Sequence, residues 1–175
     1  MLWFGLILIL LSATIITQAQ KSKKTSTVKK STATSQKGTL SIEAGLVYKN
    51  GDVKPVARVE FYLLDTDLKT ILSEAKITPR EGLDSITTFA LALSYPNLHQ
   101  DTIDQALVSI KSHTVSSITT DFQGKANIPS VKVGTYYLYG FTKAGNSKVL
   151  WNLSVSIKSG QNLVTLDNNN AELAF

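Results

Sequence analysis

The chain has 175 residues, 43% of them hydrophobic and 18% charged, with a formal net charge of +5 and no cysteine. That length and apolar content allow a sizeable core, and the missing thiol excludes disulfides, cysteine nucleophiles and cysteine-ligated metal sites together. Six lysines (Lys21, Lys23, Lys24, Lys29, Lys30 and Lys37) lie in residues 21–38, leaving 12 basic against 13 acidic residues elsewhere, a net charge of −1. The basic balance therefore belongs to a tail, and a neutral folded part does not suit nucleic acid.

From the N-terminal end, Leu2–Ile16 is an apolar run of fifteen residues, followed by Thr17 and Ala19. A run of this length fits a secretory signal and falls short of the ~20 residues that span a bilayer. Residues 1–19 are thus expected to be a signal peptide with the mature chain starting near Gln20, which makes the protein secreted or periplasmic. The alternative is an uncleaved signal anchor, because the start of the run lacks Lys and Arg. Residues 20–38, rich in Lys, Ser and Thr, bury too little to offset the entropy of ordering. They read as a disordered tether whose lysines, Lys21 to Lys37, either adhere weakly to anionic surfaces or only solubilise.

The folded domain is expected over 39–172. Leu40 to Tyr48 alternates with period two, the pattern of a half-buried strand, and Asn50-Gly51 supplies a tight turn. A second strand, Val56 to Leu64, places Val59, Phe61 and Leu63 inward and Glu60 and Tyr62 outward, which sets Glu43 and Glu60 on adjacent strands. The period then changes. Ile86, Phe89, Ala90 and Leu93, then Ile103, Ala106, Leu107 and Ile110, are spaced as one-sided helices. They predict an antiparallel helix pair at about 84–112, the first stopped by Pro96 and the second capped by Asp101 with Asp104. Its apolar stripes face the sheet or each other, or one is offered to a partner. Asp65 to Gly82 suggests at most a helical turn and a short strand. Strand patterns resume in "TVSSITT", "KANIPSV", "TYYLYGF", "KVLWNLSVSI" and "LVTL", making seven in all. Val149, Trp151, Leu153, Val155 and Ile157 share one face. Seven strands with intervening turns read as an all-β sandwich.

Three segments carry a resemblance: Asn50–Asp65, Thr119–Gly140 and Trp151–Glu172. They resemble the carboxypeptidase regulatory-like, prealbumin (transthyretin)-like sandwich domains, in which a T-D-x-x-G turn leads through a Val to G-x-Y. Thr120, Asp121, Gly124, Val131, Gly134 and Tyr136 match that pattern. The resemblance implies a seven-stranded prealbumin-like (Ig-like) sandwich, here carrying the helix pair. It also implies structural turn roles for Asp121, Gly124 and Gly134. Two enzyme classes on related sandwiches find no match. The chain ends "NNNAELAF" rather than in the Tyr-Arg-Gly-Ser of hydroxyisourate hydrolases. An iron site of two His and two Tyr, as in intradiol dioxygenases, would need His99 and His113, which lie beside the predicted helices, not in strands.

The residues themselves give the same answer. Gly124-Lys125-Ala126 lacks the spacing and hydroxyl of a phosphate loop, and no Gly-x-Ser-x-Gly elbow occurs. Glu43, Glu60, Asp65, Asp67, Asp121 and Asp167 are the acid–base candidates, with nothing in their spacing to pair two of them as glycoside hydrolysis needs. No catalytic, cofactor-binding or metal residue is assigned, and no cofactor is expected. The chain reads as a non-catalytic extracytoplasmic structural or interaction module with a protein or cell-envelope partner. The alternative is a carbohydrate-binding module using Tyr62 and Tyr136, which would have to share one open face.

Overall fold

The computed structural model describes residues 36–175. The expected signal segment and the tether up to residue 35 lie outside them, whereas Lys37 and Gly38, expected in the tether, open the first strand.

Nine strands and three helices follow in order among the described residues. They are β1 (Lys37–Val47), β2 (Val53–Pro55), β3 (Glu60–Leu64), α1 (Leu68–Glu74), α2 (Ser85–Ser94) and α3 (Pro96–Ser112). After these come β4 (Thr114–Thr119), β5 (Lys125–Lys132), β6 (Gly134–Ala144), β7 (Ser147–Ile157), β8 (Gly160–Leu166) and β9 (Leu173–Ala174).

The strands form two sheets. In the four-stranded one, β1 pairs with β5 and β2, both antiparallel, and with β8 in parallel. Ala44 donates its N–H to Gly124 O and accepts from Val56 N. Both groups of one strand residue point to the same edge, so β5 and β2 follow each other along one edge of β1 and β8 takes the other. The five-stranded sheet is antiparallel throughout, in the order β4-β3-β6-β7-β9.

Alternation decides what each sheet buries. Leu40, Ile42, Ala44 and Leu46 of β1 meet Phe61, Leu63, Leu138, Val149, Trp151, Val155 and Ile157 of the larger sheet in the core between the sheets. Each fully buried large side chain there contributes about 1.5–3 kcal/mol. Trp151 and Phe61 have no exposed surface, and their rings pack 5.7 Å apart at 50°. The Trp151 indole N–H donates to Asp167 O.

The opposite residues of the same strands build a second core. Leu64, Tyr139 and Leu150 pack under Leu68, Ile71 and Leu72 of α1, Ile86, Phe89 and Ala90 of α2, and Ala106 and Ile110 of α3. The helices thus cover the outer face of the five-stranded sheet, which buries both faces of β3, β6 and β7. The expected helical stripes of α2 and α3 are found there, turned to the sheet.

The differences from the expected layout have local causes. The Asn50-Gly51 turn closes a hairpin of β1 with the three-residue β2, not with β3. The chain then crosses to the other sheet at Val56 to Val59, where Arg58 sits at φ +57°. The strand expected from Val56 therefore starts only at Glu60, as β3, and Glu43 and Glu60 belong to different sheets rather than to adjacent strands. Pro96 stops α2 as expected, since the residue before a proline is kept out of the helical region and Tyr95 stands at φ −129°, ψ 63°. It also starts α3 directly, a position where its missing N–H leaves no bond unmade. The first turn of α3 ends in a kink at His99, and the periodic part of the helix continues from there. Asp101 makes no capping bond, and Asp104 accepts from Gln100 instead. A third helix, α1, fills the segment after Asp65, and the C-terminal β9 adds an edge to β7.

Candidate functional site

The tight turn from Asp121 to Lys125 links β4 and β5, which lie in different sheets, so it is a crossover between the sheets and not a hairpin. Asp121 Oδ1 accepts from Gln123 N and Lys125 N, both at 2.8 Å, and the Asp121 N–H donates to Lys125 O. Gly124 has φ +75°, and a Cβ there would lie 2.2 Å from Ala44 O, so the site excludes every side chain. Thr120 is buried, donates to Val56 O at 2.6 Å and accepts from Val59 N at 3.1 Å. Its hydroxyl thereby pins both ends of the crossover around Arg58. Gly134 opens β6 with the Tyr136 ring beside it.

The two tyrosines expected to share a face do not meet. β3 and β6 pair Tyr62 with Tyr139, so both point to the helical layer. Tyr62 stacks on Tyr139 at 5.7 Å and 29°, and donates its hydroxyl to Glu60 Oε2 at 2.6 Å. Burial, reinforced by the Glu60 carboxylate, pushes the Tyr62 phenol up to about 12. Tyr136 points the other way, half-buried against the core between the sheets. It lines a cleft of about 490 Å³ together with Lys37, Asp65, Ser116, Ser130 and Lys132. Ser130 stands there at φ +60°, a conformation costly for a residue with a Cβ.

The acidic candidates each hold a piece of the fold. Glu43 pairs with Lys125 at 3.2 Å across the outer face of the four-stranded sheet. Asp67 caps α1, accepting from Lys69 N and Thr70 N, and its other oxygen accepts from the Asn152 side chain. Asp167 accepts from Asn169 N and Asn170 N. Next to it, the Asn168 side chain accepts from Val47 N at 2.8 Å and donates to Val47 O at 2.7 Å, taking the place of a neighbouring strand.

Asp65 has a different setting. His113, the residue capping the C-terminus of α3, holds its Nδ1 2.9 Å from Asp65 Oδ1 and its Nε2 2.9 Å from Glu74 Oε2. The bond to His113 holds the Asp65 carboxyl below its ordinary value, and the same bond, aided by Glu74, raises the imidazole above its own. The two carboxylate oxygens lie on opposite sides of the ring, so no single point collects three donors. His99 stands apart, in contact with Arg80. Among the described residues no group of three or more His, Asp or Glu is arranged to hold a metal ion. The His113 cluster was not legible from spacing, because its members stand 48 and 39 residues apart.

Among the described residues no helix is long and apolar enough to cross a membrane. No protein-family model matches the chain, and no curated protein matches it. Among solved structures the chain is similar to a candidate carbohydrate-binding protein of Pseudomonas aeruginosa, at 14% identity and a TM-score of 0.43 over 75% of this chain and 88% of that one. It is also similar to GBS52, a minor pilin of Streptococcus agalactiae, at 21% identity and a TM-score of 0.43, covering 76% of this chain and 44% of the pilin. At that level of likeness neither neighbour's function transfers to this chain.

Proposed function

We propose that the chain is a non-catalytic extracytoplasmic structural or interaction module of carboxypeptidase regulatory-like type. One observation carries this reading. The acidic and aromatic residues most suited to chemistry are engaged in turns, helix ends and the two cores, from Asp67 on α1 to Asp121 in its own turn. The outer face of the four-stranded sheet carries a groove of about 350 Å³ with Glu43, Val47, Val53 and Lys125 around it. That face serves a protein or cell-envelope partner. The apolar run at 2–16 supports export to the periplasm or exterior, or display on a retained signal anchor. The lysines from Lys21 to Lys37 support weak adhesion to anionic surfaces.

A pull-down from cell-envelope material, with the intact chain and with residues 21–35 removed so that β1 stays whole, separates tail from domain. Capture by the domain persists without the tail and at high salt, whereas tail-driven capture fades as charge is screened. Capture that disappears with the tail would leave the domain without the role assigned to it.

A second reading, a carbohydrate-binding module, is favoured by the Tyr136 cleft, where a half-buried ring lies beside Asp65, Ser116 and Ser130. Stacking on a ring with polar groups around it suits a sugar. Tyr62, on the opposite face, contributes nothing to that cleft. Polysaccharide binding lost in Tyr136→Ala with the fold intact would support this reading, and binding unchanged in the variant would remove the cleft from it.

A further inference from the structure

The His113 cluster joins three parts of the fold. Asp65 ends the path out of β3, and its N–H donates to His113 O at 3.1 Å. Glu74 is the last residue of α1, and His113 is the C-cap of α3 immediately before β4. Beyond the shared apolar core, the imidazole therefore forms a polar link between α1 and the start of the edge strand. Its side chain is 25% exposed, against 56% for Asp65 and 54% for Glu74.

Geometry fixes its charge state. A neutral imidazole has one N–H and one bare lone pair. With a carboxylate oxygen 2.9 Å from each ring nitrogen, the neutral ring would turn a lone pair on a negative oxygen. Only the imidazolium donates on both sides. Two helix ends favour the same state. The negative end of α3 favours a cation at its cap, and the Glu74 carboxylate stands at the C-terminus of α1, where a negative charge is unfavourable unless neutralised. The other charged groups nearby are Lys111 in the last turn of α3, Lys76 just beyond α1, and Lys37 and Lys132 around the cleft that Asp65 borders. None of these four lysines makes an ion pair with Asp65 or Glu74.

We propose that His113 is a pH-operated clasp, an imidazolium that holds α1 against the α3–β4 junction and lets go when it loses its proton. For the imidazole, the folded value lies above the unfolded one of 6.5. Its stabilisation is full below 6.5 and is lost as pH rises through the raised value. For Asp65, the folded value lies below the unfolded one of 3.8. That contribution is present above 3.8 and is lost as pH falls through the lowered value. The clasp is closed below 6.5 and opens as pH rises through the raised imidazole value.

The test uses the intact chain. Imidazole NMR follows the protonation of His113, and hydrogen exchange follows the amides of α1. His113 is expected to titrate above 6.5, and Glu74→Gln and Asp65→Asn each to lower its midpoint. Protection of the α1 amides is expected to fall about fivefold between pH 6 and pH 9, the scale of a partly exposed ion-pair network. In His113→Gln that pH dependence disappears. Should this variant not fold, Glu74→Gln, an exposed change, supplies both readouts. A midpoint at or below the ordinary imidazole value, or an α1 pH profile that survives the substitution, overturns the proposal.

Discussion

Gly124 and Gly51 both have positive φ, at +75° and +88°, but only Gly124 faces a neighbouring backbone. Gly51→Ala meets nothing within 4 Å and is expected to cost only the left-handed strain of about 1–2 kcal/mol. Gly124→Ala must in addition push Ala44 O off the β1 edge, so its loss of stability in urea unfolding is expected to be clearly the larger of the two. Equal losses would show that the turn yields freely. Thr120→Val keeps the shape but leaves Val56 O and Val59 N without their partner, and is expected to cost about 1–3 kcal/mol. At this scale the motif of Thr120, Asp121 and Gly124 was legible as a pattern of residue types. The task of Thr120 was not, because its partners lie some sixty residues earlier and belong to a crossover that no periodicity announces.

Elements were legible in proportion to their length. The alternation of β1 and β7 and the spacing in α2 and α3 repeat often enough to be read, and the structure buries the faces they indicate. β2 has three residues and cannot show a period. α1 did carry the helical spacing, with Leu68, Ile71, Leu72 and Ala75 all buried, but two turns without a strong flanking signal left the segment ambiguous. Its start is set by Asp67, which caps the helix and also holds Asn152 of β7. Asp67→Ala therefore removes a cap and a tie between layers. It is expected to lower stability by about 1–2 kcal/mol, with increased amide exchange concentrated in α1. Exchange that rises evenly over the whole domain instead would mean that α1 does not open on its own.

The domain formed by the described residues is organised around the five-stranded sheet, because β3, β6 and β7 bury residues on both faces. Phe61, Leu63, Leu138 and Trp151 face the smaller sheet, while Leu64, Tyr139 and Leu150 face the helices, all of them buried. A prealbumin-like sandwich with helices merely emerging from a loop would tolerate their loss. Here the segment from 66 to 112 is the cover of a second core. Replacing it with a short linker exposes Leu64, Tyr139 and Leu150 together with the half-buried Tyr62, Tyr137 and Phe141. Such a continuous apolar face on a sheet drives association. The shortened chain is expected to aggregate, or to bind a hydrophobic dye and elute as oligomers in size-exclusion chromatography. A monomer with the native near-ultraviolet circular dichroism of its buried aromatics would show that the helices are dispensable to the fold. Their stripes would then belong to an interface, as the sequence also allowed.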